Sequence, residues 1–173
     1  SPYAEKVSSY LVEVYMNTRS YDAALKSIDR IAKPSAQILE AKQKILFQLG
    51  TQSFANADFE QALKYLNQSI AIGQYNRQTK ADAYYWCGES YYRLNRMVEA
   101  ARDFNAYLQL TTQPNNEMYA LANYNLGYIA FHRKDYTQAS NYFQKYIQLE
   151  KGENTTALAD AYNRIGDCHL HVR

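Results

Sequence analysis

The chain has 173 residues, of which 21% are charged, and a net charge of +2. That balance argues against the clustered basic face of a nucleic-acid binder, and no run of about 18 apolar residues is present to span a membrane. Tyrosine is the compositional outlier, with 18 residues against 6 phenylalanines and 1 tryptophan; it suits helices with one packed and one wetted side, because the ring supplies buried area while the hydroxyl reaches water or a partner.

Helical stripes begin at the N-terminus. Val7, Leu11, Val12 and Tyr15 share one face of a first helix, and Ala24, Leu25, Ile28 and Ile31 share one face of a second. Ser20 is placed to cap the second helix, Pro34 to end it, and Ser35 to cap the next. A second pair runs from Ala36 to about Ile72, where Asp58 followed by Gln61 reads as an Asp-led capping box. After a connector from Gln74 to Thr79 comes the clearest unit, Ala81 to Pro114. Tyr84, Cys87, Gly88 and Tyr91 fall on one helical face, Leu94-Asn95-Arg96 breaks the pattern, and Met97, Ala100, Ala101, Phe104 and Leu108 begin a new stripe. Two short amphipathic helices joined by a tight turn make an αα-hairpin, which cannot bury both faces alone. Residues 111–116 lead to a further pair running to about Glu150, in which Asp135 and Gln138 repeat the capping box. Lys151 to Thr155 introduce a last helix, from about Thr156 to His171.

These units are copies of one another. Gly88, Ala100 and Phe104 reappear one period later as Gly127, Ala139 and Phe143, and one further period on from Gly127 lies Gly166. Stepping back by one period gives Gly50, Ala62 and Leu66, and by another Val12, Ala24 and Ile28. An aromatic or Met follows each glycine position at a constant offset: Tyr21, Phe59, Met97 and Tyr136. A fixed period of this length, roughly 38–39 residues, marks a stacked repeat array. Recurrent glycines inside helices, each costing about 1 kcal/mol relative to alanine, indicate close helix packing, with the Ala24, Ala62, Ala100 and Ala139 column as the small counterpart. Gly73 and Gly152 stand where second helices should end and are expected to be C-terminal caps.

The pattern aromatic-x2-apolar-Gly-x2-Tyr followed by Ala-x3-Phe, carried best by Tyr84, Cys87, Gly88, Tyr91, Ala100, Phe104 and Pro114, resembles the tetratricopeptide repeat. Departures occur at Val12, Ser53, Asn123 and Ala130. The family repeat is usually about 34 residues long, and the surplus here is assigned to an extra turn at the start of each first helix. The resemblance implies an all-α fold, a right-handed αα-superhelix of about nine antiparallel helices in four and a half repeats. These are expected at about 3–33, 36–72, 78–110, 115–150 and 155–173 in one undivided array. Ile165 and Gly166 keep the internal pattern to the end, so the chain is expected to be a fragment of a longer protein. The tyrosine-rich style also resembles tetratricopeptide proteins of the Bacteroides-type cell envelope, which serve in assembly or adhesion.

In this family the first helices line a concave groove. The resemblance puts four offsets from each glycine there: minus three, plus one, plus four and plus five. It thereby implies a partner-binding groove formed by Phe47 and Thr51 (with Phe54), by Tyr85, Glu89 and Tyr92 (with Arg93), by Tyr124, Tyr128, Phe131 and His132, and by Asn163 and Asp167 (with Leu170). For Phe54, Tyr92 and Phe131 ordinary packing is the favoured alternative; for Tyr85, Tyr124 and Tyr128 the two readings stand level. The carboxylate clamp of chaperone adaptors needs Lys, Asn and Arg where this chain has Ser9 and Glu13, Phe47 and Thr51, and Tyr85 and Glu89, so a chaperone-tail receptor is not expected.

Chemistry-bearing motifs are scarce. The three histidines are His132, His169 and His171, and no HExxH, phosphate-cradling glycine loop or nucleophile elbow occurs. Asp167 and His171 are spaced to pair across one helical turn. Cys87 and Cys168 lie more than two repeats apart, a spacing of neither a zinc motif nor a disulfide framework, and read as buried thiols. The sequence therefore predicts a non-catalytic scaffold without cofactor or metal. It would bind a protein or peptide partner, without nucleic acid or membrane insertion, and end-to-end self-association is left open. A receptor for a glycan or free peptide and a structural spacer remain as alternatives. An open trough would favour the scaffold and a closed pocket the receptor.

Overall fold

The computed structural model describes residues 10–14, 17 and 19–172; the expectations placed on Val7, Ser9 and Tyr15 lie outside the described residues. Residues 10–14 are helical. They are followed by α1 (Tyr21–Asp29), α2 (Ala36–Ala55), α3 (Phe59–Ile72), α4 (Arg77–Arg93), α5 (Met97–Leu110), α6 (Glu117–His132), α7 (Tyr136–Leu149) and α8 (Thr155–Val172). No strand occurs among the described residues. Each helix packs on the next in sequence, and the first helices α2 and α4 also touch. The result is an all-α solenoid, as the pattern predicts. The first helices α2, α4, α6 and α8 run 20, 17, 16 and 18 residues, whereas α3, α5 and α7 have 14 each. The added length sits in the first helices; α4 begins at Arg77, inside the stretch expected to be a connector.

The aromatic-or-Met column, Tyr21, Phe59, Met97 and Tyr136, supplies the first residue of each second helix. Just before it the chain turns through one residue in the left-handed region: Arg19 (φ 59°), Ala57 (59°), Asn95 (60°) and Lys134 (64°). The turn closes in the Schellman manner. Ala57 N–H donates to Phe54 O at 2.9 Å and Asp58 N–H to Ser53 O at 2.9 Å, and the equivalent long bonds run from Arg96 N–H to Tyr91 O at 2.8 Å and from Asp135 N–H to Ala130 O at 3.0 Å. Asp58 and Asp135 accept from Gln61 N–H and Gln138 N–H at 3.2 Å, so half of each expected capping box forms. The cap N–H that a reciprocal box would offer to the Gln side chain is already engaged by the preceding helix.

Close approach within each hairpin explains the glycines. A Cβ on Gly88 or Gly127 would lie 2.8 Å from the ring of Phe104 or Phe143, and one on Gly50 would lie 2.5 Å from Leu66. Those three large side chains and the small Ala24, Ala62, Ala100 and Ala139 are fully buried. The core is correspondingly segmented. One cluster gathers Val12, Ala24, Ile28, Ile38, Ile45 and Leu49; a central one is built around Phe104 and Tyr107; a third is built around Phe143 and Tyr146. Gly73 departs from expectation: it is buried with φ −31° and opens a 3₁₀ turn, Gly73–Tyr75, rather than forming a left-handed cap. Gly152 does take a left-handed conformation, φ 83°, in the connector after α7. Both cysteines are buried, as expected. No helix among the described residues is long and apolar enough to cross a membrane.

Two opposite responses to substitution are expected. Gly127→Ala should lower unfolding free energy by about 1–2 kcal/mol, the cost of overpacking against a buried ring less the gain in helix propensity. Ala57→Gly and Lys134→Gly should each raise it by about 0.5–1 kcal/mol by relieving the left-handed turn. Urea unfolding followed by circular dichroism measures all three, and a stabilising Gly127→Ala would contradict the packing account.

Candidate functional site

Glu89, Tyr92 and Arg93 from α4 face Leu121, Tyr124, Asn125, Tyr128 and His132 from α6 across a trough of about 450 Å³. The aromatic rings of Tyr92, Tyr124 and Tyr128 are half-buried and His132 is exposed. Tyr124 packs edge-on to Tyr128 at 5.2 Å and against Tyr146 at 4.9 Å, while Tyr128 meets Phe143 edge-on at 5.2 Å. Ring bodies thus rest on the third core cluster while other parts of the same rings line the trough.

Polar bonds between successive first helices fix this surface. Asn125 Nδ2 donates to Glu89 Oε1 at 2.7 Å, and the Tyr85 hydroxyl donates to the same oxygen at 2.9 Å. One repeat further on, the Tyr124 hydroxyl donates to Asp160 Oδ2 at 2.6 Å, and the Tyr128 hydroxyl donates to that oxygen too. Arg164 lies 3.7 Å from Asp160 Oδ1 and 3.1 Å from Asp167 Oδ2. Burial, joined by the neighbouring carboxylates, raises the phenols: Tyr85 and Tyr124 go far above the usual tyrosine range and Tyr128 is pushed up to about 12. Protonated phenols are therefore the hydrogen-bond donors throughout the physiological range, and the carboxylates are the acceptors.

Of the residues expected in the groove, Glu89, Tyr92, Tyr124, Tyr128 and His132 come together here. Tyr85 does not supply open area. It is 2% exposed, its ring packed among Trp86, Phe104 and Tyr107 at 5.2–5.7 Å, and only its hydroxyl reaches Glu89. Phe47 packs on the central core, and the Thr51 hydroxyl donates to Gln48 O in its own helix at 3.1 Å. Phe131 lies against Tyr136 at 5.4 Å with the Arg164 guanidinium 6.0 Å from its ring. Asn163 is exposed outside the trough lining, and Asp167 pairs with Arg164 rather than His171. His171 instead stacks on Tyr136 at 4.2 Å. Leu121, Asn125 and Asp160 were missed although the signal was present: positions six and two before each glycine continue the helical stripe that includes plus one and plus five.

A larger cleft of about 540 Å³ lies at the connector edge, between residues 115–120 and 149–156. Three of its polar side chains serve the backbone. Asn116 and Asn154 accept from Tyr119 N–H and Ala157 N–H as caps, and Glu150 accepts from Glu153 N–H and Asn154 N–H. No group of three or more His, Cys, Asp or Glu that could hold a metal occurs among the described residues.

Tetratricopeptide repeat models match residues 47–117 and 120–152, together more than half of the chain. Comparison with curated proteins gave no match. Among solved structures, the chain is similar to MamA, with a TM-score of 0.63 and 18% identity over 99% of this chain and 84% of that one. It is also similar to BtubC from P. vanneervenii, at 0.66 and 14% over 95% and 71%. YrrB, described as a TPR protein with an unusual peptide-binding site, gives 0.62 and 15% over 92% and 73%. Identities this low establish a shared fold.

The raised phenols make an alkaline prediction. Below pH about 10 these tyrosines are protonated in folded and unfolded chains alike, and their contribution to stability is intact. As pH rises from there towards about 12, where Tyr128 ionises in the fold, the unfolded chain loses its phenolic protons first and folding weakens. Phenolate absorbance recorded with circular dichroism should show a set of tyrosines ionising only as helicity is lost. Ionisation of every tyrosine near pH 10 with helicity intact would refute the phenol–carboxylate pairing.

Proposed function

The chain belongs to the tetratricopeptide repeat family, whose members generally mediate protein–protein interactions, and we propose that it is a non-catalytic scaffold whose α4–α6 trough docks a peptide or helix of a partner protein. The observation that carries this reading is the half-exposed stripe of Tyr92, Leu121, Tyr124 and Tyr128, interleaved with Glu89, Asn125 and His132. Aromatic area supplies affinity and the polar groups supply register. Tyr124 and Tyr128 are already held by packing and by bonds to Asp160, and Asn125 by its bond to Glu89, so little of their side-chain freedom remains to be lost on binding. The similarity to YrrB, a TPR protein with an unusual peptide-binding site, adds weight. The half-exposed rings and exposed His132 form an open trough, which favours an extended peptide over a glycan or small ligand needing enclosure.

The test is selection of peptides from a random display library against the whole chain, followed by affinity measurement on folded variants. Tyr92→Ala and Tyr128→Ala should each weaken the selected peptides by roughly tenfold or more, with the circular dichroism spectrum retained. Tyr85→Ala should act differently, costing about 3 kcal/mol of stability because it empties a core position. Selected peptides indifferent to both Tyr92→Ala and Tyr128→Ala would remove the trough as the binding site.

A further inference from the structure

The α4–α6 trough carries a charge imbalance that the fold does not cancel. The carboxylates around it are already engaged. Glu89 accepts from Tyr85 and Asn125, and Asp160 accepts from Tyr124 and Tyr128. Arg164 lies within ion-pair distance of both Asp160 and Asp167. In the adjacent hairpin turns, Asp58 and Asp135 cap α3 and α7.

The cations are not engaged in the same way. Arg93 and His132 line the trough from the last turns of α4 and α6, and both are exposed. Their contacts are with rings. The Arg93 guanidinium lies 5.5 Å from the centre of Phe54, and His132 lies 6.3 Å from both Tyr128 and Phe131. A ring face holds a guanidinium in place without neutralising it. Arg93 makes no ion pair with any described residue, and neither do the exposed Arg133 and Lys134 that follow at the same end. The neighbouring helices offer no acid to correct this. Residues 45–55 of α2, which include Phe54, and residues 118–132 of α6 contain no Asp or Glu.

We propose that the occupant of the trough is an extended acidic segment, in which an apolar or aromatic side chain rests on Tyr124 and Tyr128 and an Asp or Glu two residues along pairs with Arg93. This rests on the trough being a peptide site, and adds the chemistry of the peptide. The spacing follows from the two backbones. From Tyr128 to His132 α6 advances about 6 Å, which an extended chain covers in about two residues at roughly 3.3 Å each. Side chains two apart leave an extended chain on the same face, so both can enter the trough together. The planar guanidinium receives a carboxylate through two parallel hydrogen bonds, and stacking on Phe54 limits the freedom lost when the pair forms. His132 supplies a second donor across the trough. A basic segment would instead meet Arg93 as a like charge, and could reach Glu89 or Asp160 only by competing with the bonds between first helices.

The test uses peptides selected from the random display library against the whole chain, sorted by whether Tyr128→Ala weakens them. Those it weakens should carry Asp or Glu two residues from an aromatic or large apolar residue. Arg93→Gln, a change at an exposed side chain, should weaken them roughly threefold to tenfold with the circular dichroism spectrum retained. Replacing the peptide's acid by its amide should act comparably without touching the fold, and the two changes together should cost little more than either alone. Higher salt should weaken the parent complex more than the Arg93→Gln complex. Tyr128-dependent peptides that lack an acid, that bind Arg93→Gln as well as the parent chain, or whose two losses simply add would overturn the inference and leave the trough as a peptide site. If no selected peptide is weakened by Tyr92→Ala or Tyr128→Ala, the peptide site itself fails and the inference with it.

Discussion

The distance between the two helices of a hairpin is the constraint on which the structure depends. It is set where a glycine of the first helix receives a large side chain of the second, at Gly50, Gly88 and Gly127. A glycine in mid-helix is unfavourable in isolation; here it allows a ring or Leu side chain to lie on the backbone, so that the loss is offset by burial. Once the axes are that close, the link between the helices must be short. The chain accepts Arg, Ala, Asn and Lys in left-handed backbone to achieve it. Each hairpin is then a rigid unit with two apolar faces, and stacking is the only way to cover both.

That geometry also explains the excess of tyrosine. Tyr107 and Tyr146, three residues after the seated Phe, are fully buried, but their hydroxyls reach the following connector. Tyr107 donates to Asn116 Oδ1 at 3.0 Å and Tyr146 to Glu150 Oε2 at 3.2 Å. The same Asn116 oxygen caps α6, so one acceptor ties the second helix of one repeat to the first helix of the next. In the earlier hairpin the corresponding position is Ser69, whose hydroxyl donates to Gln43 O at 2.8 Å. Phenylalanine would fill these positions equally well and leave the junctions unlinked. On the inner side, Tyr85, Tyr124 and Tyr128 repeat the device, with carboxylates of the first helices as acceptors.

The fold was legible in the sequence because its cause is periodic: a glycine and its seated side chain must recur together, and they do. The site was legible only in part. An offset from a glycine specifies a direction around a helix axis, which was enough for Glu89, Tyr128 and His132. It cannot specify how far a ring is covered. Tyr85 and Tyr124 share an offset and pack on equivalent second-helix rings, Phe104 and Tyr107 against Phe143 and Tyr146, yet Tyr85, which also meets Trp86, is buried while Tyr124, with Asn125 in the place of Trp86, stays half-buried at the trough. The difference lies in the neighbours each repeat happens to offer. Pairing within α8 failed for a related reason. Asp167 had two partners within helical reach, and the choice of Arg164 over His171 follows from Asp160 holding Arg164 in place and Tyr136 stacking on His171.

The trough is consequently part of what joins the repeats. Asp160 receives two phenolic hydroxyls from α6 and lies near Arg164, and Glu89 receives Tyr85 from its own helix and Asn125 from α6. A partner offering a cation to either carboxylate would have to displace bonds that link α6 to α8 or α4 to α6. Leaving a partly buried phenol without its acceptor costs more than an exposed ion pair returns. Contacts to the ring faces and to Leu121 carry no such penalty, because they add burial without breaking a junction. A partner docking in the trough as proposed would therefore be favoured if it brought apolar or aromatic side chains to the rings. In that proposed role, charge at Glu89, Arg93 and His132 would be left to set orientation and to reject mismatched segments.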